Sequence, residues 1–247
     1  MRLIVTRPEP DATRTAKALI GLGHVAILSP MLDIVPIRDA RISDAPFQAV
    51  LVTSGNAVRA LQARPARPFS SDTPLFAVGD RTALEAKRAG FVAARSAGGA
   101  LDDLVALAAA ELSPGDGPLL YAAGEDRAGD IPARLAARGF EVETVILYRA
   151  EARTKLAGVA EAALRERRVD GSLFYSRRSA SAFAAALQAV GLVPLSEAVA
   201  CFCLSAQAAE PVRPIAKGRV LVAEQPDQIH LFALVERAAL SAEGRAG

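Results

Sequence analysis

Two α/β domains, each a parallel sheet covered by helices and one of them inserted within the other, are what the sequence predicts. Three observations carry the prediction. The first is alternation: short β-branched or apolar runs lead through a polar or glycine turn into an amphipathic stretch, the strand–turn–helix order of α/β folds. The second is duplication. LFAVGDRTALEAKRAGF (75–91) answers FCLSAQAAEPVRPIAKG (202–218), and GFVAARSAGGALDDLVALAAAEL (90–112) answers GRVLVAEQPDQIHLFALVERAAL (218–240). AVLVTSGNAVRAL (49–61) pairs with SLFYSRRSASAFAAAL (172–187), and LIVTRPEPDATRTAKALIGLGHVAIL (3–28) with LLYAAGEDRAGDIPARLAARGFEVETVIL (119–147). The third is order: the second set of cassettes is circularly shifted, so one copy interrupts the other. Such a chain crosses twice between its lobes and leaves a cleft between them, where a ligand is expected.

The elements follow from local pattern. Strands are expected at Leu3–Thr6, Val25–Leu28, Ala49–Thr53, Leu75–Val78, Phe91–Ala93 (short), Leu119–Ala122, Val142–Leu147, Leu173–Ser176, Ala200–Leu204 and Val220–Val222. Ten strands divide into five per lobe, a flavodoxin-like count. GLGHVA (21–26) formally fits a dinucleotide fingerprint, but it follows helix 11–20 and opens a strand, so its glycines read as a helix C-cap. MLDIVPIRDARIS (31–43) and ILYRAEART (146–154) alternate without leading straight into a helix. These are the crossings, centred on 36–37 and 148–150, and side by side they form a two-stranded antiparallel ladder that acts as a hinge. The expected architecture is therefore two flavodoxin-like parallel-sheet domains, one inserted in the other: 1–35 with 151–247, and 38–147.

Composition narrows the function classes. A chain of 247 residues with 51% hydrophobic and 23% charged content suits two globular domains and excludes a disordered or fibrous chain. The 29 basic and 27 acidic residues are spread along it without a polybasic run, which argues against nucleic acid as partner. The opening MRLIVTRPEP holds too short an apolar run for a signal segment, and no stretch is long enough for a membrane helix, so a cytoplasmic protein with no membrane partner is expected. Cys201 and Cys203 alternate on one strand face and read as small buried hydrophobes; with His24 and His230 in other cassettes, neither a metal site nor a disulfide is expected.

Polar groups collect where strands end. Thr6-Arg7, Thr53-Ser54 with Asn56, Gly79-Asp80-Arg81-Thr82, Gly124 with Asp126 and Arg127, Ser176-Arg177-Arg178-Ser179 and Ser205 all precede helices. There, free backbone N–H groups and the positive end of the helix dipole meet in the carboxyl-end crevice of an open α/β sheet. Helix capping explains each Ser, Thr, Asn or Asp taken singly. It does not require the neighbouring arginines, whose guanidinium groups bind carboxylates bidentately. The natural guest of such turns is an anionic small molecule.

Over its whole length the chain resembles the uroporphyrinogen-III synthase family. The residues that carry the resemblance are VTRPEPDA (5–12), LVTSGNAV (51–58), FAVGDRTA (76–83), YAAGEDRAGDIPARLAARGF (121–140) leading to VILYRA (145–150), FYSRRSASAF (174–183) and CLSAQAA (203–209), in that order. The resemblance implies a cofactor-free enzyme of tetrapyrrole biosynthesis that cyclises hydroxymethylbilane, a linear polycarboxylate, to uroporphyrinogen III. Ring D is inverted and water is lost. It further implies a catalytic donor role for Tyr148, which occupies the place of a family tyrosine considered as an acid, and for Thr82, which matches a threonine over the cleft. Where family members often read G-P-T-T-A, this chain has Ser205-Ala206-Gln207-Ala208-Ala209, so no threonine hydroxyl acts there. A monomer is expected. The alternative is a two-lobed binding or sensor protein that closes on an anion without chemistry.

Overall fold

The computed structural model describes all residues except 66–67, 127–128, 195–197, 218 and 244–247. The chain runs through β1 (Arg2–Val5), α1 (Asp11–Gly21), β2 (Val25–Leu28), β3 (Leu32–Pro36), β4 (Ala49–Val52), α2 (Gly55–Gln62), β5 (Leu75–Ala77) and α3 (Asp80–Arg88). It continues through β6 (Ala94–Ser96), α4 (Leu101–Glu111), β7 (Leu119–Gly124), α5 (Ile131–Ala136), β8 (Val142–Ala152) and α6 (Gly158–Arg165). The last elements are β9 (Gly171–Phe174), α7 (Arg177–Ala189), β10 (Ala200–Cys203), α8 (Ala206–Ala209), β11 (Val220–Val222) and α9 (Gln228–Glu243). They fall into two compact units, Met1–Asp33 with Glu151–Gly247, and Ile34–Ala150. Among the described residues, no helix is long and apolar enough to cross a membrane.

In the first unit the sheet order is β11-β10-β9-β1-β2, and the neighbouring strands run parallel. The second sheet has the order β3-β8-β7-β4-β5-β6, parallel from β8 to β6. If each strand is replaced by its sequence counterpart (β7 for β1, β8 for β2, β4 for β9, β5 for β10, β6 for β11), the two five-strand orders become identical. The duplication is therefore a circular permutation: chain order differs, spatial order does not. That order is the doubly wound flavodoxin-like one.

β3 lies at the edge of the second sheet as a sixth strand and forms with β8 the two-stranded antiparallel ladder expected of the crossings. Ile37 N–H donates to the Leu147 carbonyl at 2.8 Å and Arg153 N–H to the Met31 carbonyl at 3.0 Å, so β3 runs antiparallel to β8. β8 in turn extends to Ala152, because the crossing continues the strand without a break. Asp33 and Arg153 face each other with a fork of two bonds, Nε to Oδ2 at 2.8 Å and Nη2 to Oδ1 at 2.6 Å. The Arg153 bond holds the Asp33 carboxyl below the usual carboxylate range. A depressed folded value means the pair stabilises the protein above pH ~4, where the unfolded carboxylate is ionised, and the contribution is lost as pH falls through the folded value. With both side chains about half exposed, Asp33→Asn should lower stability by no more than about 1 kcal/mol at pH 7. The same substitution should have no effect at pH ~2. Urea unfolding of both forms at the two pH values checks this, and an equal loss at both would contradict it.

The short strand expected at Phe91–Ala93 lies three residues later. Phe91 instead closes α3: Gly90 takes a φ of +92°, and Phe91 N–H donates to the Ala86 carbonyl at 3.0 Å. The ring is fully buried and stacks on Phe69, so an apolar residue that looks like a strand start is the hydrophobic partner of a helix cap. Gly23 caps α1 in the same way, with φ +82° and bonds from Gly23 N–H to Ile20 and His24 N–H to Leu19.

Each sheet is covered on both faces. Ile4, Phe174, Phe183, Cys201 and Cys203 belong to one apolar cluster of the first unit, while Leu3, Val5, Leu173, Ala200 and Phe202 belong to the other. Strict alternation along β10 thus puts both thiols on one face. Both are free and buried, and burial pushes each up to about 12, so they remain protonated and unreactive at neutral pH.

Candidate active site

Four adjacent strands of the second unit, β8-β7-β4-β5, deliver the expected groups to one end of their sheet. After β4, the half-buried Thr53 leads into Ser54, the N-cap of α2, whose hydroxyl accepts the Asn56 N–H at 3.1 Å. Asn56 Oδ1 accepts from Arg59, and Arg59 pairs in turn with Glu85. These side chains are held internally. After β5 the turn differs: Gly79 is the N-cap of α3 and supplies no side chain to the first turn of the helix. The opening N–H groups of α3 therefore lack the answer that Ser54 gives α2, and they remain donors for an anion. Arg81 is exposed there and Thr82 is half-buried, its hydroxyl making no hydrogen bond among the described residues.

At the β7 end, Gly124 is buried with the Tyr148 side chain lying over it, so it offers no open backbone to a ligand as the sequence suggested. Tyr148 is half-buried, and its carbonyl accepts the Glu125 N–H at 2.9 Å. Its hydroxyl makes no hydrogen bond among the described residues. Asp126 is exposed, and Arg127 lies outside the described residues.

The first unit presents the ends of β10, β9 and β1. Thr6 is fully buried and its hydroxyl donates to the Leu173 carbonyl at 2.6 Å, tying β1 to β9 rather than facing a ligand. Arg7 is enclosed, its side chain only 12% exposed. Its guanidinium bonds Asp11 Oδ2 at 3.2 Å, Thr15 Oγ1 at 3.3 Å and Gln228 Oε1 at 3.4 Å, and lies 4.1 Å from the Tyr175 ring centroid. It reads as a structural cation, not an open clamp for carboxylates. Ser176 caps α7 by accepting the Ser179 N–H at 3.2 Å, and the two hydroxyls bond at 2.9 Å. Ser179 is itself buried. Ser205 caps α8 by accepting the Ala208 N–H at 3.3 Å, and Ala208 is fully buried. Arg177 stays exposed, 3.3 Å from Glu210.

The structure thus separates the sequence candidates. Ser54, Ser176, Ser205, Asn56, Thr6 and Arg7 are engaged within their own units and the exposed Arg177 pairs with Glu210, whereas the start of α3 has no side-chain cap and the Thr82 and Tyr148 hydroxyls make no hydrogen bond among the described residues. Sequence reasoning missed the cage around Arg7. Asp11 stands four residues on, a legible helix-turn spacing; Gln228 is 221 residues away and carried no signal. Among the described residues, no group of three or more His, Cys, Asp or Glu side chains is placed to hold a metal ion.

A family model described as Uroporphyrinogen-III synthase HemD matches residues 13–233. The chain belongs to that family. Uroporphyrinogen-III synthases are lyase-type enzymes acting on a small molecule, which agrees with strand ends that offer hydrogen-bond donors. Two solved structures bear on the fold. The uroporphyrinogen-III synthetase of Helicobacter pylori is 16% identical, with a TM-score of 0.62 over 96% of this chain and 99% of that one. A mutant uroporphyrinogen III synthase of Thermus thermophilus is 18% identical, with a TM-score of 0.53 over 98% and 99%. At such identities the likeness shows a shared fold, while the family match carries the synthase assignment. No curated protein matches the sequence.

Proposed function

We propose that the protein is a cytoplasmic, monomeric uroporphyrinogen-III synthase that needs no cofactor, converting hydroxymethylbilane to uroporphyrinogen III with inversion of ring D and release of one water. The observation that carries this reading is the family match over residues 13–233. The geometry supports it through the uncapped start of α3 beside Arg81 and Thr82. N–H donors and guanidinium groups are the partners a polycarboxylate needs. Holding one conformer of a flexible chain is proximity catalysis, and the substrate's own reactivity makes a strong protein nucleophile unnecessary.

Loss of water requires a proton on the departing hydroxyl. Tyr148 is assigned as the donor because its phenol has no internal partner among the described residues, and a phenol serves as a hydrogen-bond donor or weak acid. Thr82 is assigned as a second donor to the same hydroxyl. The test is isomer analysis: purified protein given freshly generated hydroxymethylbilane should yield the type III product. A pure type I product, which the substrate forms unaided, would overturn the proposal.

A further inference from the structure

Strict alternation along β8 would aim Tyr148 away from the face its neighbours serve. Val145 and Leu147 point into the cluster formed with α2 and α3, which includes Ala57, Val58, Ala83 and Ala86; Val142 and Ile146 point to the opposite face. Position 148 should follow Ile146. It does not, because the register slips: Ala123 pairs with Ile146, but Gly124 pairs with Tyr148, leaving Leu147 as the extra residue of a β-bulge. Beyond the bulge, Tyr148 packs against the α2/α3 cluster after all. The bulge thus turns the phenol to the sheet face covered by α3, the helix that Gly79 precedes.

Gly124, opposite Tyr148, supplies the second half of the device. A Cβ at Gly124 would lie 2.5 Å from Tyr148 Cζ, 2.8 Å from Cε2 and 2.8 Å from the hydroxyl oxygen. All three atoms belong to the outer end of the ring. The conflict is therefore with the position of the phenol, and relief requires the ring to swing by about 1 Å, the difference from ordinary carbon contact. The φ of Gly124 is not in the left-handed region, so the absence of a side chain, not backbone freedom, is what this position uses.

We propose that Gly124 is a positioning residue for Tyr148: together with the bulge at Leu147 it sets where the phenol points. The consequence for turnover rests on the synthase reading; the consequence for ring position does not. The chain has three tyrosines and no tryptophan, so 3-fluorotyrosine labelling gives three ¹⁹F resonances, with Tyr148 assigned by its loss in Tyr148→Phe. Gly124→Ala should shift the Tyr148 resonance and leave the other two in place; an unmoved Tyr148 resonance overturns the proposal whether or not the protein makes the type III isomer. Given that activity, kcat in Gly124→Ala should fall about 10–100-fold with KM nearly unchanged, since a displacement near 1 Å is enough for such losses. Adding Gly124→Ala to Tyr148→Phe should cause no further fall, and a fully additive loss would show that Gly124 acts otherwise. Should Gly124→Ala fold poorly, the Tyr148→Ala background decides: the lowered thermal midpoint should be restored there, and an equal drop in both backgrounds contradicts the ring contact.

Discussion

Replacing Phe183 by alanine lowers the stability of the protein by about 3–5 kcal/mol, among the largest losses expected of a single truncation. Phe183 lies on α7, is fully buried, and meets Phe174 of β9 edge to face at 5.1 Å between centroids and 67° between planes. Its cluster includes Ala180, Ala184, Ala186, Ala208 and Ala209. Alanine side chains have no rotamers with which to fill a vacated ring volume, so relief falls to the larger members of the cluster, such as Met31, Leu187 and Ile215, and to movement of α7, and the loss stays within that range. Within it, the ring pair should contribute about 0.5–1.5 kcal/mol beyond area burial. A double-mutant cycle with Phe174→Leu measures the pair. Chemical unfolding followed by far-ultraviolet circular dichroism measures the total, and a loss below about 1.5 kcal/mol would mean the site collapses freely.

Arg7→Ala should destabilise by about 2–3 kcal/mol, because it removes the cation that a nearly buried carboxylate, hydroxyl and amide all address. Asp11 keeps Arg14 as a partner, so the effect falls short of a fully orphaned charge. Arg7→Lys retains the charge but cannot reproduce the fork over Tyr175, and should recover only part of the loss. The experiment also separates structure from recognition. A caged Arg7 predicts a lower thermal midpoint for Arg7→Lys with KM within about 2-fold of the parent protein. A guanidinium that clamps a substrate carboxylate predicts instead a KM raised about 10-fold or more, since a charge-assisted bond contributes about 1.5–3 kcal/mol.

The same residue shows where legibility in the sequence stops. Arg7 beside a strand end and a helix start has the composition of an anion clamp, and no local pattern distinguishes that role from a packed cation. The distinction lies with Tyr175 and Gln228, which only the fold brings to it. Ser54, Ser176 and Ser205 were readable as caps from the helices that follow them. The contrasting lack of a cap at Gly79 was readable too, since glycine has no side chain to offer. Phe91 misled because an apolar residue after Lys-Arg-Ala-Gly serves equally as a strand start or a helix-cap partner, and three residues of sequence do not separate the two.

What the sequence by itself determined is the identity and spatial order of the repeated cassettes. Strand and helix periodicities are properties of each residue's own backbone, and a duplicated series of strands that folds the same way twice must pair in the same order, wherever the chain is cut. What only the tertiary structure decided is register and enclosure. Arg7 was enclosed by groups far along the chain, and Tyr148 was re-aimed by one extra residue, Leu147, that places it opposite Gly124. Each depends on which distant backbone lies alongside, and a slip of a single residue reverses the face a side chain serves.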